Sequence, residues 1–139
     1  MLERNKALTQ RFYEEVVNRG DLSLVDELLA PDHVEHELLA GVKPGREGVK
    51  QLFAGLREAF PNLKTSVDDL LADGNKVVAR VTMSGTQARE FMGIPATGKS
   101  FRITVIDIMK FDDGRITEHW GVSDTGSLIQ QLTGVASPG

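Results

Sequence analysis

Asp107 and Asp124 are the residues of this sequence best placed to move protons. Within Phe101 to Phe111 the alternate positions Phe101, Ile103, Val105, Asp107, Met109 and Phe111 share one strand face unless a bulge intervenes, and Asp107 is the one charge in that row. A carboxylate among apolar side chains persists in one of two ways: it meets a cation, or its pKa rises until it holds a proton. Arg80, in the middle of VVARVTM, is an available cation. The same arginine is equally consistent with an exposed strand face or a dimer rim.

On the next stretch Ile116, Glu118, Trp120, Val122 and Asp124 alternate. The indole of Trp120 and the carboxyl of Asp124 are therefore expected on one wall, with His119 facing the other way. A carboxyl at a strand end beside an indole suits a general acid or base in an apolar pocket. Asp124 also precedes Thr-Gly-Ser-Leu-Ile and could N-cap a closing helix. The two roles oppose each other, since capping favours the charged carboxylate and an apolar pocket disfavours it. If Asp124 is the proton shuttle, Asp124→Asn abolishes turnover and leaves the melting temperature nearly unchanged.

His33, Glu35 and His36 form a dense polar cluster. In an extended segment residues three apart point to opposite faces, so the spacing argues against a metal site. With no cysteine and one further histidine, a closed zinc site would need carboxylates from distant strands. His36 is instead expected as a hydrogen-bonding residue of the pocket, and His33 at the surface. Phe12, Phe53, Phe91, Met92 and Met109 are candidates for an apolar lining, although core packing explains such residues equally well.

The elements that must position these groups follow from periodicity. Leu8, Phe12 and Val16, with Tyr13 and Val17, mark a first helix closed by Gly20. Asp21 is the expected N-cap of a second, carrying Leu24, Val25, Leu28 and Leu29 and stopped by Pro31. DHVEHEL reads as a short extended segment and GVKPGREG as a loop. Val49, Leu52, Phe53, Leu56 and Phe60 form one face of a third helix. Lys64 to Ala72 and Lys76 to Met83 flank a hairpin turn at Asp73-Gly74. A loop-rich stretch, GTQAREFMGIPATGKS, leads to the strand Phe101 to Phe111, an Asp113-Gly114 turn, the strand Arg115 to Ser123, a short closing helix and a loose GVASPG tail. Three helices followed by four hairpin-connected strands is an α+β order, a curved antiparallel sheet wrapped on helices around an internal hollow.

Bulk composition narrows the classes. The 139 residues suit one domain over 1–139. Apolar runs are too short to span a membrane, and MLERNKALTQ lacks an apolar signal core. The absence of cysteine fits a cytoplasmic protein and removes thiol chemistry. A net charge of -4 with scattered Lys and Arg provides no basic stripe for nucleic acid.

The blocks DHVEHE, GREGVKQLF, AFPNLK, GTQAREFMGIPATGKS, IDIMKFDDGRITEHW and Asp124 followed by QQL, in this order, resemble the SnoaL-like polyketide cyclases of the cystatin-like (nuclear transport factor 2-like) superfamily. The resemblance implies a cone of curved strands closed by helices, a small hydrophobic ligand, and assembly as a homodimer or higher oligomer through the outer sheet face. It also implies aldol ring closure of a polyketide methyl ester by a pocket carboxylate near the end of the last strand, without metal or organic cofactor. Asp124 matches that carboxylate, His36 and Asp107 match recurrent polar positions, and Trp120 matches an aromatic wall. Gln87-Ala88-Arg89 departs from the family pattern at the expected pocket mouth. Two rival readings remain. One is epoxide hydrolysis, with Arg80 set between Asp107 and Asp124; the other is non-catalytic binding of an apolar ligand.

Overall fold

Apolar side chains recurring along one stripe draw the first third of the chain into helices against a sheet built from the rest. The structure, a computed structural model, describes residues 1–37 and 41–134. Leu38 of the extended segment and the tail beyond Gly134 lie outside the described residues.

Helix α1 (Leu2–Arg11) runs into a π-helical segment, Phe12–Asn18. There the Arg19 amide donates to the carbonyl of Glu14, five residues back, at 3.2 Å. The wider winding buries Phe12, Tyr13, Val16 and Val17 together, and such widened turns occur often at functional sites. The expected second helix is only a 3₁₀ turn (Leu22–Leu24) and α2 (Val25–Leu28). Asp21 does not cap it; its carboxylate accepts from the Ser23 hydroxyl at 2.5 Å. Helices α3 (Gly45–Ala59) and α4 (Thr125–Thr133) fall where their apolar stripes place them. No described helix is long and apolar enough to cross a membrane.

The strands are β1 (Leu29–Glu35), β2 (Lys64–Asp73), β3 (Lys76–Thr86), β4 (Ser100–Asp112) and β5 (Arg115–Ser123), in the spatial order β1-β5-β4-β3-β2. The sheet has five strands and is mixed, where four antiparallel ones were expected. Leu29–Glu35 supplies the extra strand, taking Leu29 from the expected second helix, and pairs parallel to β5 at the sheet edge, where an edge strand tolerates the missing N–H of Pro31. The β4–β5 hairpin turns at Asp113 and Gly114, whose φ of 48° and 76° provide the positive values a two-residue turn needs. Between β3 and β4, Gln87 is fully buried and braces the loop. Its amide donates to the carbonyls of Arg89 at 3.1 Å and Ile94 at 2.9 Å, and its oxygen accepts from the Thr97 hydroxyl at 2.9 Å.

Burial along β4 alternates as its pattern requires, with Phe101, Ile103, Val105, Asp107, Met109 and Phe111 all buried. In β5 the simple alternation fails. Phe111 pairs with Ile116 but Lys110 pairs with Glu118, so Thr117 is an extra residue at a bulge. Beyond it the parity inverts. Ile116 is buried, His119 and Ser123 line the interior, and Trp120 and Val122 stand on the outer face.

Candidate functional site

Between the helices and the inner sheet face lies a cavity of about 170 Å³. Hydrocarbon forms most of its wall: Phe12 and Val17 from the π-helical segment, Val49, Leu52, Phe53 and Leu56 from α3, and Val81, Ile103, Val105 and Met109 from β3 and β4. Phe91 and Met92 reach it from the β3–β4 loop. All five apolar residues singled out in the sequence, Phe12, Phe53, Phe91, Met92 and Met109, border this space. Met92 has φ 51° and is more than half exposed, which places it at the rim.

Polar groups also face the cavity, and they are joined to one another. The Tyr13 hydroxyl donates to Asp107 Oδ2. His119 lies with Nε2 2.7 Å from Asp107 Oδ1 and Nδ1 in contact with Glu35 Oε2. His33 continues the chain, its Nε2 3.2 Å from Glu35 Oε1 and its Nδ1 donating to the Ile116 carbonyl at 3.2 Å. Glu37 stands beside this chain and accepts from the Ser123 hydroxyl at 3.3 Å.

The electrostatics follow from the order of contacts. Burial alone would lower the pKa of His119, but hydrogen bonds to Asp107 and Glu35 and their charges outweigh it and raise it to about 10. The ring therefore keeps both protons through neutral pH and acts as a fixed cation. Burial pushes Glu35 up, yet the hydrogen bonds from His119 and His33 bring it down to about 2. Tyr13 is raised well above 10, by burial first and then by the charge of Asp107, so its hydroxyl stays a donor. Glu37 is raised too, by burial and then by Asp107. That shift favours the protonated form of Glu37.

Donor atoms of Glu37, Asp107 and His119 lie within 4.8 Å of one another, close enough to consider a metal ion. The His119 nitrogen nearest Asp107 is already in hydrogen-bond contact with it, and its other nitrogen faces Glu35. A metal bound through this nitrogen would have to displace the hydrogen bond to Asp107.

Several expected placements change. Asp124 is exposed and N-caps α4, its Oδ1 accepting from the Ser127 amide at 3.2 Å. His36 is exposed and stacks on Trp120, ring centroids 4.8 Å apart, on the outer sheet face beside Ile106 and Val122. Trp120 is thus no wall of the cavity, because the β5 bulge turns it outward. His33, expected at the surface, is buried. Arg80 is exposed and lies 3.9 Å from Asp68. Its neighbour Ala79 pairs with Asp107, so Arg80 stands on the opposite face and cannot bridge Asp107 and Asp124. That removes the epoxide-hydrolase arrangement.

Tyr13 and Glu37 were not singled out from sequence as site residues; Glu35 was weighed there only as a metal ligand, and His119 was expected to face away from the wall of Trp120 and Asp124. A signal was present: in DHVEHE every second residue, His33, Glu35 and Glu37, is polar and faces inward, while Val34 is outward and 45% exposed. The one apolar residue of DHVEHE is thus on its outward side, and the inward side is wholly polar.

The model of the SnoaL-like polyketide cyclase family matches residues 7–132, which include every member of this polar chain. The protein belongs to that family. Nogalonic acid methyl ester cyclase of Streptomyces nogalater is 25% identical to this SnoaL-like chain over 118 residues, 83% of this chain and 87% of the cyclase. TsrD from Streptomyces laurentii superposes with a TM-score of 0.87 at 32% identity, covering 96% of this chain and 97% of TsrD. IdmH from Streptomyces antibioticus, a candidate polyketide cyclase, gives 0.81 at 36% identity over 94% and 99% of the two chains. The α+β architecture is shared, and membership of the SnoaL-like family supports a cyclase or isomerase role without a cofactor.

Proposed function

We propose that the protein binds a small, largely apolar carbonyl compound in the cavity and closes a ring in it by intramolecular aldol chemistry, with Asp107 as the proton carrier. The observation behind this reading is a hydrogen-bonded carboxylate facing an otherwise hydrocarbon cavity. The hydrogen between two carbonyls is already acidic, and its enolate delocalises within the substrate. The site must then fold the substrate into an attacking shape and move protons. His119 and Tyr13 each donate to one oxygen of Asp107 and fix its direction, and each oxygen keeps a further lone pair for the substrate. The role expected of Asp124 passes to Asp107. The exposed apolar side chains of Ile106 and Val122 on the outer sheet face suit the homodimer that the family resemblance implies.

The test is Asp107→Asn assayed with a 1,3-dicarbonyl polyketide ester, following product by mass spectrometry and binding by fluorescence. Binding is expected to persist while turnover falls by roughly 10²- to 10⁴-fold. Undiminished turnover overturns the assignment, and binding without turnover in the unaltered protein leaves a carrier.

A further inference from the structure

Gly121 stands directly across the ladder from Asp107. Its φ is not positive, so the backbone makes no demand for glycine there. Space does. A Cβ at this position would lie 2.6 Å from Asp107 Oδ1, 2.7 Å from Glu37 Oε1 and 2.9 Å from His119 Cε1, all closer than real Cβ contacts. The two carboxyl oxygens come from different parts of the fold, one from β4 and one from the chain just beyond β1. They converge over a point that any other residue would fill.

We propose that Glu37 and Asp107 form a proton-sharing carboxyl pair held together by the bare backbone of Gly121, with Glu37 as the second proton carrier of the site and Gly121 as a positioning residue. This deepens the acid–base reading and rests on it for its chemical use. Asp107 takes the proton from the carbon between two carbonyls, and that carbon bonds to a third, more distant carbonyl carbon of the same substrate, whose C=O π bond opens onto its oxygen. The alkoxide oxygen so formed takes the proton of Glu37. A proton then passes from Asp107 to Glu37, which restores the pair with no net gain or loss. Their oxygens lie within 4.8 Å of one another, a span that one water can bridge for that last transfer.

The groups around the pair are Tyr13 from the π-helical segment, His33 and Glu35 from β1, and His119 and Ser123 from β5. Two carboxyls this close resist ionising together. The upward shift of Glu37, from burial and from Asp107, agrees with one proton being retained.

The experiment is a pH titration of side-chain carboxyl ¹³C signals, with Glu37 assigned through Glu37→Gln. It compares the unaltered protein, Asp107→Asn, Gly121→Ala and the double variant. In the unaltered background Asp107→Asn should lower the Glu37 midpoint by about one pH unit or more, because a like charge is removed. In the Gly121→Ala background the same change should move it by less than half as much, since the methyl group has already parted the carboxyls. Equal displacement in the two backgrounds, or none in the first, overturns the pair. If Gly121→Ala fails to fold, the response to Asp107→Asn alone decides: a Glu37 midpoint that does not move overturns the pair, and one that falls by a unit supports it. No substrate is involved. A pair seen here while Asp107→Asn retains turnover separates failure of the ring-closure reading from failure of this one.

Discussion

His119 and Asp107 are diagonal neighbours across the β4–β5 ladder. Asp107 pairs with Gly121 and Met109 pairs with His119, yet the imidazole leans toward the glycine and brings Nε2 to 2.7 Å from Asp107 Oδ1. With Glu35 on its other nitrogen, the ring is a cation between two carboxylates. That position ties stability to pH at both ends of the scale.

The pKa of His119 is raised from 6.5 to about 10, so its contribution to stability is complete below pH 6.5 and is lost as pH climbs through about 10. Glu35 is lowered from 4.5 to about 2, so its contribution is complete above pH 4.5 and is lost as pH falls through about 2. Both contributions are complete between pH 4.5 and 6.5, while the raised Glu37 carboxyl subtracts stability as pH climbs above 4.5, so urea unfolding should show stability greatest near pH 4.5 and declining on either side. Asp107→Asn should make the alkaline decline shallower. An alkaline limb unaffected by that substitution would show that His119 is not held by Asp107.

Tyr13→Phe removes one of the two donors that fix Asp107. A hydrogen bond to a charged group is worth about 1.5–3 kcal/mol, and the site should lose about tenfold in turnover for each 1.4 kcal/mol felt in the transition state. The cavity wall is otherwise preserved, so binding of an apolar ligand should change little. Steady-state kinetics beside a binding isotherm separates the two.

Asp124→Ala removes the cap of α4. The expected cost is about 1 kcal/mol of stability, read by thermal unfolding, with turnover unchanged. Loss of turnover at full stability would return the proton-shuttle role to Asp124.

Met92→Ala trims an exposed side chain at the cavity rim. Stability should stay within about 0.5 kcal/mol. A panel of ligands of increasing size should show a changed order of affinity, while the proton-transfer groups are left alone. An unaltered order would place Met92 outside the binding path.

Much of this arrangement was legible from residues alone. The alternation from Phe101 to Phe111 put Asp107 on an apolar face, and the helical spacing of Val49, Leu52, Phe53 and Leu56 marked the stripe that lines the cavity. Periodicity reports which face a side chain takes, because burying that face is what forms the element. The blocks that resemble the SnoaL-like family were equally visible, and with them the α+β fold. Tertiary structure decided the rest. One extra residue at Thr117 inverts β5, sending His119 inward and Trp120 outward, and no count of alternating residues reveals a bulge in advance. Pairing between β1 and β5 carries Glu35 to His119, 84 positions away, and the π-helical segment carries Tyr13 to Asp107, 94 positions away. Which carboxyl holds a proton depends on those meetings. Charge and burial act through space, and a linear order of residues does not contain the distances.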